Sequence, residues 1–166
     1  MILLIEPDDL HKRTQINANV DVQKYKPYIE DVQVKVMGDL LGDTLKNKIL
    51  VDFDNNELTG LYEKIYKILK NIIIYQTASD YILFNQYHVS NGGVYKLTSE
   101  DTETVEVSEV ESLSKRYYEK SQLYVSELNR FLCSEGGKIP EYNTQDETYN
   151  KRPQRGINDM ITWHLD

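Results

Sequence analysis

Apolar positions recur at helical spacing in three stretches of the chain. In "YIEDVQVKVMGDLLG", Ile29, Val32, Val36 and Leu40 lie three or four residues apart and mark one face of a helix. Pro27 suits an early position of that helix, because first-turn N–H groups need no helical partner, and Gly42 is a natural stop. "DTLKNKILV" predicts a shorter second helix, closed by the polar break "DNNELTG". Leu61, Ile65, Ile68, Ile72 and Ile73 resume the period, which runs on through Tyr75, Ala78 and Ile82. This predicts one long helix from Gly60 to Phe84, with a kink near Asn71. In the third stretch Val110, Leu113, Tyr117, Tyr124, Leu128 and Phe131 keep three-four spacing, with Lys120 the polar exception in the seam. Ser108 and Glu111 predict a capping box at its start, and Gly136-Gly137 its end.

Between the long helices the period changes. Phe84 to Ser90 and Val94 to Thr98 read as two extended segments around Asn91-Gly92-Gly93, a hairpin signal because such turns need positive φ. Glu100, Asp101, Glu103, Glu106, Glu109 and Glu111 follow without a basic residue among them, and like charges this dense disfavour a compact fold of their own. Upstream, Pro7 predicts a brief helix through "DDLHKR" and "INANVD" is irregular. Downstream, "KIPEY" reads as extended and "NTQDETYNKRPQRG" as a polar linker. The expected organisation is a mainly α domain over residues 1–142, an antiparallel helical bundle with a small β-hairpin near 84–98. A linker and extended C-terminal arm follow over 143–166.

Composition narrows the function classes. A net charge of −8 over 166 residues does not suit a surface that grips phosphates. Cys133 is the single cysteine, so no internal disulfide forms; it reads as core filler rather than as a nucleophile. His11, His88 and His164 lie far apart, lack metal-ligand spacing, and read as surface or interface residues. "NGGVYK" lacks the Lys-Ser/Thr ending of a phosphate loop, and the acidic run lacks EF-hand spacing. The 13 tyrosines read as mostly structural. "MILLIEPDDL" lacks the basic flank and length of a signal peptide, and no apolar run approaches a membrane span, so a soluble cytoplasmic product is expected. No catalytic constellation, metal site or cofactor is expected, and the chain reads as a non-enzyme. The last residues carry an apolar cluster, Ile157, Met160, Ile161, Trp163 and Leu165, behind the basic Lys151, Arg152 and Arg155. Two readings stand for that arm: folding back on its own core, or docking on a partner.

The order "YIEDVQVKVMGDLLG", a Tyr/Ile-rich long helix, "YHVSNGGVYK", an acidic stretch, "YYEKSQLYVSELNRFL" and "IPEYN" resembles the head–tail connector proteins of tailed phages. It is most similar to those of phages infecting gut Bacteroidetes, including the crAss-like group. The likeness spans roughly Asp21 to Asn143, and "NGGV" and "PEYN" are its most specific pieces. It implies a helical bundle with a hairpin, repeated in a homo-oligomeric, dodecameric ring beneath the portal protein and localised in the virion neck after synthesis in the host cytoplasm. Such a ring extends the DNA channel, lets packaged DNA pass without specific binding, and meets further neck or tail proteins; no membrane is involved.

By that likeness the arm Ile157–Leu165 docks on the portal, with Lys151, Arg152 and Arg155 as a basic contact. The hairpin residues Tyr87, Val89, Asn91 and Gly92, with Gly93, Val94 and Tyr95, lie between subunits. Glu100, Asp101, Glu103 and Glu106 line the lumen or serve solubility. The rival reading is a small helical binding or regulatory module that recognises one protein partner through its C-terminal tail. A dispersed-carboxylate enzyme stands third.

Overall fold

The computed structural model describes residues 1–85, 87–90, 93–96 and 106–143. Within them the chain is mainly helical. Helix α1, Pro7–Arg13, begins with Pro7 in its first turn, where the missing N–H costs nothing. The Glu6 N–H donates to the Asp9 carboxylate at 3.0 Å, while Lys12 and Arg13 face the negative end of the helix dipole.

Helix α2, Val22–Leu41, starts five residues before Pro27 and corrects the expectation that the proline opens it. Asp21 supplies the cap, its side chain accepting from the Gln23 N–H at 2.9 Å. The extra turn buries Tyr25 completely. Pro27 therefore sits inside the helix, where the lost hydrogen bond costs up to about 3 kcal/mol, offset by the turn that Asp21 and Tyr25 hold. Gly42, at φ +75°, ends α2 in a backbone region that favours glycine and leads directly into α3, Asp43–Asp54.

Helix α4, Gly60–Phe84, has the predicted bounds and runs without interruption through Asn71, whose side-chain amide donates to the Lys67 carbonyl at 3.1 Å. Phe84 is its last residue, so the extended chain begins at Tyr87 rather than at Phe84. Strands β1, Tyr87–Ser90, and β2, Gly93–Lys96, pair antiparallel in the register Tyr87↔Lys96 to Ser90↔Gly93.

Helix α5, Val107–Glu135, is capped two residues earlier than the sequence pattern predicts. Glu106 and Glu109 form the capping box in place of Ser108 and Glu111, and the Ser108 hydroxyl turns back onto the Glu106 carboxylate at 3.4 Å. A 3-10 turn, Gly136–Lys138, leads to α6, Pro140–Asn143. "KIPEY" is thus not extended beyond Ile139; Pro140 fixes the φ that starts a helical turn. A Cβ on Gly136 would lie 2.6 Å from the Tyr142 ring, so only glycine lets that ring close over the turn.

Helix α4 lies at the centre. On one side Tyr81 meets the Tyr25 and Tyr28 rings of α2, and Lys70 pairs with Asp9 of α1 at 2.7 Å. On another side Ser79 bonds Ser114 and Gln76 bonds Ser121 of α5. Rising numbers on α4 meet falling numbers on α5, so the two helices run in opposite directions. One continuous apolar core results, including Leu4, Ile5, Leu69, Ile73, Leu128 and Ile139.

Candidate interaction surface

The seam between α4 and α5 is unusual for what it buries. Ser114 and Ser121, with Tyr117 and Leu128, are the buried positions of α5, joined near its end by Leu132. The Ser79 hydroxyl donates to the Ser114 carbonyl at 3.0 Å, and the Ser114 hydroxyl donates to the Ser79 carbonyl at the same distance. The Ser121 hydroxyl lies 2.7 Å from the Tyr118 carbonyl and 3.0 Å from Gln76 Oε1 and shares its one proton between them, and the Gln76 amide donates to Asp80 at 3.2 Å. Burial pushes the Asp80 carboxyl up, against the pull of the Gln76 amide and of Lys35. Tyr75 stacks between Tyr117 and Tyr124, with centroids 6.3 and 5.7 Å away. Lys120, the exception in the sequence pattern, is exposed and holds its ammonium 5.4 Å from the Tyr75 centroid and 5.5 Å from that of Tyr117.

Outside this seam α5 carries a groove of about 560 Å³, bounded by Gln15, Leu113, Arg116, Tyr117, Lys120 and Leu123. A second hollow of about 310 Å³ continues it past Arg116 and Leu113 to Ser108. The Gln15 N–H donates to the Tyr117 hydroxyl at 2.9 Å and so anchors the wall supplied by the loop after α1. His11 steadies that loop: its Nδ1 bonds the Ile16 carbonyl at 3.1 Å and its Nε2 the Tyr25 hydroxyl at 3.0 Å. His11 is therefore a half-buried bridge, not a surface residue. Leu123, 68 % exposed, is the most open large apolar side chain of α5 among the described residues.

The residues singled out by the sequence are distributed differently. Tyr87, Val89, Gly93, Val94 and Tyr95 fall on the paired strands. Glu106 is an exposed helix cap. Asn91, Gly92, Glu100, Asp101 and Glu103 lie outside the described residues, as do the basic cluster Lys151, Arg152 and Arg155 and the arm Ile157, Met160, Ile161, Trp163 and Leu165. Cys133 is exposed, which overturns its reading as core filler: the buried stripe passes through Leu128 and Leu132, one position away. The groove was missed because Leu123 falls off the apolar stripe and Arg116 and Lys120 read as solvated face. Ser114 and Ser121 do repeat at the stripe's own spacing, the one signal that could have found the polar seam.

Among the described residues no group of three His, Cys, Asp or Glu side chains is placed to hold a metal ion. No described helix is long and apolar enough to cross a membrane. Neither a curated protein nor a solved structure matches the chain. A family does match, over residues 37–152, from the last turns of α2 through α6 and into the polar segment beyond. The chain belongs to that family, DUF6712, a family of unknown function.

Proposed function

We propose that this protein is a structural head–tail connector of a tailed phage, a non-enzymatic subunit of a homo-oligomeric ring beneath the portal. The observation that carries the reading is the strand pair between the two longest helices. Among the described residues β1 and β2 pair only with each other, in a two-stranded sheet. Such a ladder is marginal in water on its own, and each strand has an outer edge to which another chain can pair. A neighbouring subunit, repeated head to tail around a closed ring, supplies the missing cover.

Other features agree with this reading. The net charge of −8 suits a channel wall that DNA passes without sticking. The bundle with its hairpin gives a rigid wedge, and the arm Ile157–Leu165 with its basic approach reaches the portal. Neck and tail proteins meet the opposite face of the ring, in the virion.

Light scattering of the full chain, alone and mixed with a candidate portal, tests the proposal. A ring-sized species is expected in at least one sample. A monomer in both overturns it.

A further inference from the structure

We propose that the groove along the outer side of α5 is the seat of the chain's own C-terminal segment, residues 157–165, in the unassembled protein. This goes beyond the connector reading and stands without it. The groove offers aliphatic surface from the half-buried Leu113 over the buried Tyr117, with Leu123 open at its end. The segment offers Ile157, Met160, Ile161, Trp163 and Leu165, a density of apolar groups that favours a covered site. Trp163 adds a flat indole for which Arg116 and Lys120 are suited cations.

In the wider part of the groove Arg116 and Lys120 outnumber Glu119, and Arg116 has no ion pair among the described residues; the hollow that continues it adds Glu109. Residues 157–166 hold Asp159 and Asp166 and neither lysine nor arginine. The basic Lys151, Arg152 and Arg155 precede the segment in sequence and belong to the connecting stretch.

Reach selects the same chain over a second copy. The described chain leaves at Asn143, beside the C-terminal end of α5. From Glu135 back to the groove at Tyr117 is about 27 Å along the helix, at ~1.5 Å per residue. The connecting residues 144–156 span up to about 43 Å when extended and average about 20 Å when flexible. A tether of that length gives an effective concentration of about millimolar, far above that of a second copy in a micromolar solution. The groove from Ser108 to Leu123 is about 22 Å long, enough for the segment as a short helix or as six extended residues.

Trp163 is the only tryptophan, so the emission of the full-length chain reports its surroundings alone. At micromolar concentration the emission is expected to be blue-shifted and better protected from acrylamide than that of a synthetic 157–166 peptide. It should not change on dilution. Leu123→Asp and Arg116→Glu, both at exposed positions, should each return the emission toward that of the peptide with the far-UV circular dichroism unchanged. Three results overturn the proposal: wild-type emission equal to that of the peptide, emission unmoved by both variants, or a blue shift lost on dilution. The last would make a second copy the occupant. Scattering mass is read on the same samples: an unseated Trp163 in the unassembled chain sinks this inference alone, and a seated one with a monomer in both scattering samples sinks the connector alone.

Discussion

The two ends of the α4–α5 pair are built from different materials. Toward α6 the buried positions are Ile65 and Leu69 on α4, and Leu128 and Leu132 on α5, all at most 1 % exposed. Tyr62 closes that end by donating its hydroxyl to the Glu141 carboxylate at 2.6 Å. Toward the strands polar positions, Gln76, Ser79, Ser114 and Ser121, are buried beside the apolar Ala78, Tyr81 and Tyr117 and are held by directed hydrogen bonds and a tyrosine stack. Apolar packing tolerates sliding better than a bonded pair does, because a serine moved by one turn loses its partner. The α6 end therefore supplies more of the stability, and the strand end sets the register that aims β1 and β2.

The largest test of this contrast is Leu128→Ala. Truncating a fully buried leucine costs about 2–5 kcal/mol, read as a lower denaturant midpoint. At the other end Ser121→Ala should cost less, about 1–3 kcal/mol, by leaving the buried Gln76 carbonyl without its donor. If Ser121→Ala costs as much as Leu128→Ala, the strand end is not the weaker one. Hydrogen exchange sharpens the point. Amides around Ser114 should exchange well before those around Leu128, and Ser121→Ala should accelerate only the former.

The apolar half of this architecture is legible in the sequence and the polar half is not. Ile65, Ile72 and Ile73 keep the helical period, and the glycines at 42 and 136 end α2 and α5, so the helices and most of their bounds follow from pattern alone, although Leu69 rather than the expected Ile68 is the buried residue of its turn. Ser114 and Ser121 escape because a serine reads as surface unless its partner is known, and the partners are 35 and 45 residues away. Pro27 misleads because its preference for a first turn is weaker than the combination of the Asp21 cap and the burial of Tyr25. Pro140 misleads in the opposite sense, since a proline after an isoleucine reads as extended chain until Tyr142 is seen packed on Gly136. The groove combines Leu123, a charged face of α5 and a loop one hundred residues upstream, and no local window contains all three.

Smaller effects come from the two titrating groups that mark the two ends. The hydrogen bond to Glu141, with burial and the nearby negative charges, pushes the Tyr62 phenol up to about 12. A phenol held above its unfolded value of about 10 contributes stability that is fully present below pH 10 and lost as pH rises through 12. The α6 end should therefore loosen in that window, and Glu141→Gln should bring the Tyr62 titration, followed by NMR, back toward 10. A Tyr62 that titrates normally in the wild type would remove the clamp from that end.

At the strand end Asp80 gives the opposite arrangement, a charge that burial disfavours. Its carboxyl is held above its ordinary range mainly by desolvation. A raised carboxyl favours the fold while protonated, so its contribution is complete below the unfolded value near 3.9 and is lost as pH climbs through the folded one. Wherever Asp80 is ionised its charge is therefore a burden on the polar end. Asp80→Asn retains an oxygen to accept the Gln76 amide and removes the charge, so it should raise the melting temperature at pH 7 and leave it unchanged at pH 3. An equal gain at both pH values would assign the effect to packing. A loss at pH 7 would mean that attraction to Lys35 outweighs desolvation, and that the strand end is held by charge as well as by its serines.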